Sequence, residues 1–421
     1  MNTVDQMVAA ADRAVQAQRW VEAEQLWGDV LRLSPGHPRA LYSLGMHAFQ
    51  RNDLRGAKAL LEQSRVAAPG FLPTLNALAV VYGRLGDGPA EIDAIDAALA
   101  IEPYFLPGLV AKAVWLERHS TPAAAATMYR NVMRVAPAEA NWPATLRPQL
   151  LHARDVVDRH ARAYEAYLNE RLASLSGDLP AAAAERWREA ASIMAGRTKP
   201  YVSDSNQLGV PRLPAIPFYD RSMFPWAQEL EASTTAIREE LEAALAKEQG
   251  EFAPYIAYRP GDPVNQWAEL NHSKRWSHYS LWRGGAPDEA HLAACPKTRA
   301  ALEAVDMASI EGLCPNAMFS ALAPHTEIPP HTGETNARLV VHLPLIVPQK
   351  CTYRVGFERR EWRVGEILVF DDTLEHMARN DSDEIRVVLI FDIWNPLIPV
   401  AEREMVRRLA TAARKFAELP N

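Results

Sequence analysis

"EIRVVLIFDIW", residues 384–394, carries Ile, Val, Leu and aromatic side chains in an almost unbroken run. It is bounded by "NDSD" before and "NP" after, the punctuation that ends β-strands. Working back along the chain, "EILVFDD" (366–372), "TYRVGF" (352–357), "ARLVVHLPLIV" (337–347), "AMFSALAP" (317–324) and "YSLWRGG" (279–285) repeat that texture. Six short strands separated by Gly, Pro, Asp and Asn predict an antiparallel sandwich or jelly roll for the C-terminal half. The mouth of such a barrel is a natural seat for a small ligand or metal.

The chain has 421 residues, more than one ordinary core uses, so two or three domains are expected. Hydrophobic residues make up 48% and charged residues 23%, the balance of a globular protein. A net charge of −7 gives the whole chain no attraction to nucleic acid or anionic lipid. The N-terminus lacks a basic segment followed by an apolar core, and no run reaches the ~18 apolar residues of a membrane span. A cytoplasmic location is the expectation. Three cysteines, Cys295, Cys314 and Cys351, form no CxxC pair, which argues against a zinc cage and a disulfide framework.

The N-terminal part is periodic. Pro35, Pro69, Pro103 and Pro137 stand 34 residues apart. Twelve residues before each proline lie Ala23, Ala57, Glu91 and Ala125, the small-residue position where paired helices approach; Glu91 is the misfit. Eight before lie Trp27, Leu61, Ile95 and Tyr129, the large apolar partner. This pattern resembles a tetratricopeptide repeat (TPR) array over roughly residues 5–138. A helical solenoid of this kind implies a concave face able to bind a peptide or protein, although stacking alone accounts for the apolar positions.

Residues 146–176 keep a helical period with charges between the apolar positions, and "AAAAERWREAASIMAG" continues it, predicting one long and one shorter helix that cap the repeat. Proline-rich and polar sequence then places a boundary near 195–210. The expected organisation is 1–138 repeat array, 139–200 helical cap or linker, and 201–421 strand-rich domain.

Within that domain, His331 in "PPHTGETN", His376 after "ILVFDDTLE" and Arg386 at the head of "RVVLIFDIW" sit at strand ends. Non-haem Fe(II) oxygenases use histidines and a carboxylate on one face of the iron, and an arginine fork suits the distal carboxylate of 2-oxoglutarate. By residue type alone, packed or surface roles are the commoner reading of two histidines and an arginine on strands. The blocks "MFSALAPHTEIPPHTGETNARLVVHLPLIVP", "WRVGEILVFDDTLEHMARND" and "IRVVLIFDIWNP" resemble the aspartyl/asparaginyl β-hydroxylase family, with "WSHYSLWRGG" and "CPKTRAALEAV" upstream. The resemblance covers roughly 205–400.

That resemblance implies a double-stranded β-helix (jelly-roll) oxygenase using Fe(II), 2-oxoglutarate and O2. It implies hydroxylation of a side chain, Asp or Asn among the candidates, of a peptide or protein that the repeats could present. It implies His331 and His376 as iron ligands, with Gly333 where most related oxygenases carry aspartate. It further implies Arg386 and Ser320 on the distal carboxylate of 2-oxoglutarate, His342 near its other carboxylate, and Arg338 and Trp276 on the substrate side. One departure is Val340, where the animal enzymes carry a second arginine. That loss leaves a free amino acid, a lipid or another small molecule open as substrate, and a non-catalytic interaction protein is the remaining alternative. Asp371 and Asp372 are expected to tighten a turn. His325 is a weaker ligand candidate, and His272, His278 and His291 have no partner spacing.

Overall fold

A computed structural model of the chain describes residues 3–176, 179, 181–247 and 252–417. Its internal contacts divide it into two units, Met1–Ser174 with Met194–Arg197, and Leu175–Ile193 with Thr198–Asn421.

The first unit is helical: α1 (Thr3–Gln16), α2 (Trp20–Leu33), α3 (Pro38–Gln50), α4 (Leu54–Ala67), α5 (Leu72–Leu85), α6 (Gly88–Ile101), α7 (Leu106–His119), α8 (Pro122–Val135) and α9 (Arg147–Ser176). Each of the four registered prolines falls two residues past the end of α2, α4, α6 or α8, where it cannot continue the helix. A second period of 34 appears at the helix starts. Asp53, Asp87 and Thr121 cap α4, α6 and α8, each side chain accepting from the main-chain N–H three residues on. Trp27, Leu61, Ile95 and Tyr129 are all buried to 2% exposure or less, and Ala23, Ala57 and Ala125 lie buried beside them. Glu91 is buried too, and its carboxylate pairs with Arg118. A Cβ on Gly83 would lie 2.9 Å from Glu91 Oε1, so the glycine of α5 makes the room that an alanine at 91 would have left. The misfit is therefore a local exchange of small and large residues within a helical TPR-like array.

The second unit contains α10 (Ala181–Met194), α11 (Ala227–Ala232), α12 (Thr234–Lys247), α13 (Glu289–Ala294), α14 (Pro296–Glu303) and α15 (Val400–Ala417). Its strands are β1 (Phe218–Tyr219), β2 (Ala253–Pro254), β3 (Trp276–Arg283), β4 (Ala286–Pro287), β5 (Ala317–Leu322), β6 (Thr326–His331), β7 (Arg338–Ile346), β8 (Cys351–Val355), β9 (Glu358–Arg360), β10 (Leu368–Phe370), β11 (His376–Asn380) and β12 (Arg386–Trp394). One antiparallel sheet runs β1-β10-β7-β12-β5-β3-β2, with β4 paired to β3; the other runs β6-β11-β8-β9.

Side chains of the larger sheet alternate with period two. Leu339, Val341, Leu343 and Leu345 of β7, with Val387, Leu389, Phe391 and Ile393 of β12, share one core with Leu230, Ile237, Leu241 and Leu302 of the helices. The intervening residues Val340 and Val388 pack with Trp276, Leu322 and Phe370 against Ile328, Tyr353, Val355 and Ala378, so the smaller sheet covers this other face. Arg338, His342 and Arg386 fall on the second register, which brings polar side chains into the space between the sheets. The three cysteines are buried and joined by no disulfide. Among the described residues, no helix is long and apolar enough to cross a membrane.

Candidate active site

Between the sheets lies a cavity of about 370 Å³. His331 ends β6 and His376 opens β11, and the antiparallel register sets these two residues directly opposite each other. Their ring centroids are 4.0 Å apart. His331 Nδ1 lies 2.8 Å from the carbonyl of Pro329, and His376 Nδ1 lies 3.0 Å from that of Leu374. A carbonyl only accepts, so each Nδ1 carries the proton and each Nε2 keeps its lone pair. Burial and the neighbouring His376 push His331 down to about 3, and burial lowers His376 as well, so both rings are neutral. Two neutral imidazoles with fixed tautomers form a donor set suited to a divalent transition metal. Among the described residues, no group of three or more His, Cys, Asp or Glu side chains is arranged to hold a metal ion.

The structure gives a steric reason for the glycine at 333. A Cβ there would lie 2.0 Å from Asp372 Oδ2, and the Gly333 N–H donates to the Asp372 carbonyl at 2.7 Å. The two aspartates of "FDD" thus divide their tasks. Asp371 tightens the turn, accepting from the main chain and hydroxyl of Thr373 at 3.0 and 2.6 Å. Asp372 instead enters the cavity, where its Oδ2 stands 2.8 Å from Arg338 Nη1.

Arg386 is 1% exposed. It donates to the Ser320 carbonyl at 3.3 Å, lies 4.7 Å over the Trp362 ring, and its Nε is buried without a partner. No carboxylate among the described residues pairs with it, and burial lowers its pKa to about 10. A buried guanidinium without an anion is costly in isolation, which marks the spot as a receptor for one. Ser320 Oγ accepts from Trp276 Nε1 at 3.1 Å, which holds both side chains at the cavity wall. His342 Nδ1 accepts from Trp362 Nε1 at 3.2 Å, so its proton is on Nε2; burial, then Arg386, hold its pKa well below the usual histidine range.

Trp276 stacks on Tyr255 with centroids 3.8 Å apart and has Trp267 at 5.9 Å, an aromatic wall beside His331. Arg338 lines the cavity but is already engaged, with Asp372 at 2.8 Å, Asp392 at 3.3 Å and Glu334 at 3.6 Å. Val340 is a buried apolar patch between Arg338 and His342. All seven residues singled out from the sequence therefore line one cavity. His325 does not: it sits at positive φ in an exposed turn, bonded to Asp383. Sequence reasoning set His278 aside for want of partner spacing and missed Tyr255, Glu334 and Asp392; all four also line the cavity. For Asp392 a signal existed, since it continues the inward register of Arg386 along β12.

Residues 231–396 match the family model described as Aspartyl/Asparaginyl beta-hydroxylase, and this region of the chain belongs to that family. Its relatives include the ornithine lipid ester-linked acyl 2-hydroxylase of Rhizobium tropici, 37% identical over 198 residues, or 46% of this chain and 66% of that protein. The aspartyl/asparaginyl beta-hydroxylase of Mus musculus is 32% identical over 178 residues, 42% of this chain and 22% of that protein. The chain thus spans just under two thirds of the first relative and about a fifth of the second. Among solved structures, MamA aligns with a TM-score of 0.32 at 14% identity, covering 46% of this chain and 88% of MamA, too distant to carry an argument.

Proposed function

We propose that the second unit is a double-stranded β-helix oxygenase that holds Fe(II) on His331 and His376, binds 2-oxoglutarate, and hydroxylates an aliphatic carbon of an acyl chain. The observation that carries the reading is the coexistence, in one cavity, of a facing pair of neutral histidines and a buried arginine with no carboxylate partner. When bound, the iron and co-substrate supply the oxidant: O2 is consumed, 2-oxoglutarate becomes succinate and CO2, and the other oxygen atom becomes the product hydroxyl.

The chain's own residues do the positioning. Arg386 pairs with the distal carboxylate, Ser320 Oγ adds a hydrogen bond to it, and His342 offers its Nε2–H to the other carboxylate. Trp362 supports both, fixing the His342 tautomer and underlying the Arg386 guanidinium. Trp276, Tyr255 and Trp267 exclude water on the side of His331.

The substrate side favours an acyl chain over an Asp or Asn side chain. A substrate carboxylate would meet Arg338 already paired with Asp372 and Asp392, and Val340 offers it no second cation. The name of the Rhizobium relative points the same way. In this reading the helical repeats offer a surface for a protein partner.

The test is anaerobic titration of the full chain with Fe(II) and 2-oxoglutarate, followed by succinate release on adding O2 with an acyl lipid or an Asp-containing peptide. Binding is expected to vanish in His331→Ala and His376→Ala. Loss of the buried charged contact in Arg386→Met is expected to weaken 2-oxoglutarate by about 2–5 kcal/mol. Undiminished iron binding in the histidine variants would refute the iron assignment, and succinate release coupled to the peptide alone would refute the acyl substrate.

A further inference from the structure

The strand β8, "CTYRV", buries alternate side chains: Cys351, Tyr353 and Val355 pack in the core between the two sheets. Cys351 Sγ donates to Asn380 Oδ1 at 3.3 Å, and Val355 has no polar group to satisfy. Tyr353 is different. It is 2% exposed and lines the cavity, and its Oη is buried without a hydrogen-bond partner among the described residues. Burial takes water from such a hydroxyl, and the chain returns no bond in exchange. Packing does not account for the oxygen. The Tyr353 ring stacks on Trp362 with centroids 5.1 Å apart and meets the rings of Phe370 at 4.9 Å and His342 at 5.0 Å. A phenylalanine would make the same three contacts. The hydroxyl is therefore surplus to the fold and is left for a group that enters the cavity.

The neighbouring groups decide what that group is. Trp362 also carries the Arg386 guanidinium, 4.7 Å over its ring, and Arg386 Nε is a second buried polar atom without a partner. One indole thus supports both. The two also act on each other: burial, then Asp372, raise the tyrosine well above its ordinary range, and Arg386 works against that rise. The phenol keeps its proton. A guanidinium only donates, and a protonated phenol under the influence of that cation donates best to an anion. What both groups lack is an acceptor with several lone pairs, and a carboxylate offers about four.

We propose that Tyr353 is a co-substrate-binding residue whose hydroxyl donates to the same carboxylate of 2-oxoglutarate that pairs with Arg386. The inference rests on the co-substrate reading above and adds a residue to it. Arg386 and Ser320 stand on β12 and β5 of the larger sheet, whereas Tyr353 stands on β8 of the smaller one. The carboxylate is then held from both sheets. A ligand in that position ties the two walls of the cavity together, and the energy of burying an unpaired hydroxyl in the free chain is recovered only when the ligand is bound.

The experiment compares the full chain with Tyr353→Phe, which removes one oxygen and keeps the ring. Two quantities are measured: the dissociation constant of 2-oxoglutarate from the anaerobic Fe(II)-loaded protein, by calorimetry, and the urea midpoint of the ligand-free protein. Tyr353→Phe is expected to weaken 2-oxoglutarate by about tenfold or more, the loss of one hydrogen bond to a charged group. Its ligand-free midpoint is expected to equal or exceed the parent's, because no bond within the chain is lost. A hydroxyl that serves the fold alone would give the opposite pair, unchanged affinity and a lower midpoint. In the Arg386→Met background the same change is expected to cost less than about threefold, since the carboxylate is no longer held at the tyrosine. A lower ligand-free midpoint, or the full tenfold loss repeated in the Arg386→Met background, would overturn the proposal. Affinity unchanged in Tyr353→Phe but lost in Arg386→Met would overturn it and leave the co-substrate reading intact, whereas a parent protein that binds no 2-oxoglutarate would overturn both.

Discussion

Gly333 and Asp372 occupy each other's space, and that relation gives the glycine a steric reason. The Asp372 carboxyl fills the volume a side chain at 333 would need, and the Gly333 N–H to Asp372 carbonyl bond prevents the two segments from separating. Gly333→Ala is therefore expected to destabilise by about 1–3 kcal/mol through overpacking. Asp372→Ala, which leaves Arg338 with Asp392 and Glu334 alone, is expected to destabilise independently. The double variant should cost less than the sum, with a coupling of about 1–2 kcal/mol in urea denaturation. Additivity would mean that the two side chains do not contend for one space. His331 supplies a second residue-level prediction. Its folded pKa of about 3 lies below its unfolded value of 6.5, so the unfolded chain binds the extra proton as pH falls. Its contribution to stability is then full above pH 6.5 and is lost below it. At pH 5 the loss is about 2 kcal/mol relative to pH 7.5. Parent protein should accordingly lose about that much more stability than His331→Gln over this range, measured by urea midpoints at both pH values. An equal loss in the two proteins would place the imidazole in water.

At the scale of elements, the legible parts were those whose side chains repeat. The 34-residue period marks the helix ends because proline and the capping residues recur there. β7 and β12 announce themselves because both of their faces are buried, which demands Val, Leu and Ile almost throughout. The strands that bring the histidines together were harder to read. β6 contains Pro329 and Pro330, which a central strand excludes, but β6 is the edge of the smaller sheet and pairs only with β11. β11, "HMARN", has too little apolar sequence to declare itself, since much of its stability comes from pairing on both sides. The register His331↔His376 is a tertiary property, set by two segments 45 residues apart, and no local pattern encodes it. Glu91 belongs to the same class of silence. A buried carboxylate looked like an error in the repeat until Gly83 and Arg118, on the preceding and following helices, supplied the space and the charge. The family wording singled out residues across these gaps that the fold brings to one cavity, while the engagement of Arg338 by Asp372 and Asp392 emerged only from the pairing of strands.

At the scale of the whole molecule, the buried side chains fall into separate cores. The first unit has its own clusters, around Trp27 and Val30, around Leu61, Leu78 and Ile95, and around Tyr129 and Leu150. In the second, one cluster holds Phe319, Val341 and Phe391, another holds Tyr353, Phe370 and Val388, and a third lies beneath α15 around Trp394. Among the described residues, each of these clusters lies within its own unit. Units with separate cores melt as separate cooperative blocks, so calorimetry of the full chain is expected to resolve two transitions. The His331, His376 and Arg386 cavity lies wholly within the second unit, and a ligand that binds the folded site stabilises only the block that contains it. Anaerobic Fe(II) with 2-oxoglutarate at about a hundred times its dissociation constant adds ~2.7 kcal/mol. At about 2–4 °C per kcal/mol for a block of this size, one transition should rise by roughly 5–10 °C while the other stays fixed. The His331→Ala/His376→Ala variant should show two transitions with neither shifted by the same additions. Equal displacement of both transitions in the parent protein would reveal that the repeats and the hydroxylase-family unit unfold as one body, and the independence argued from their cores would fail.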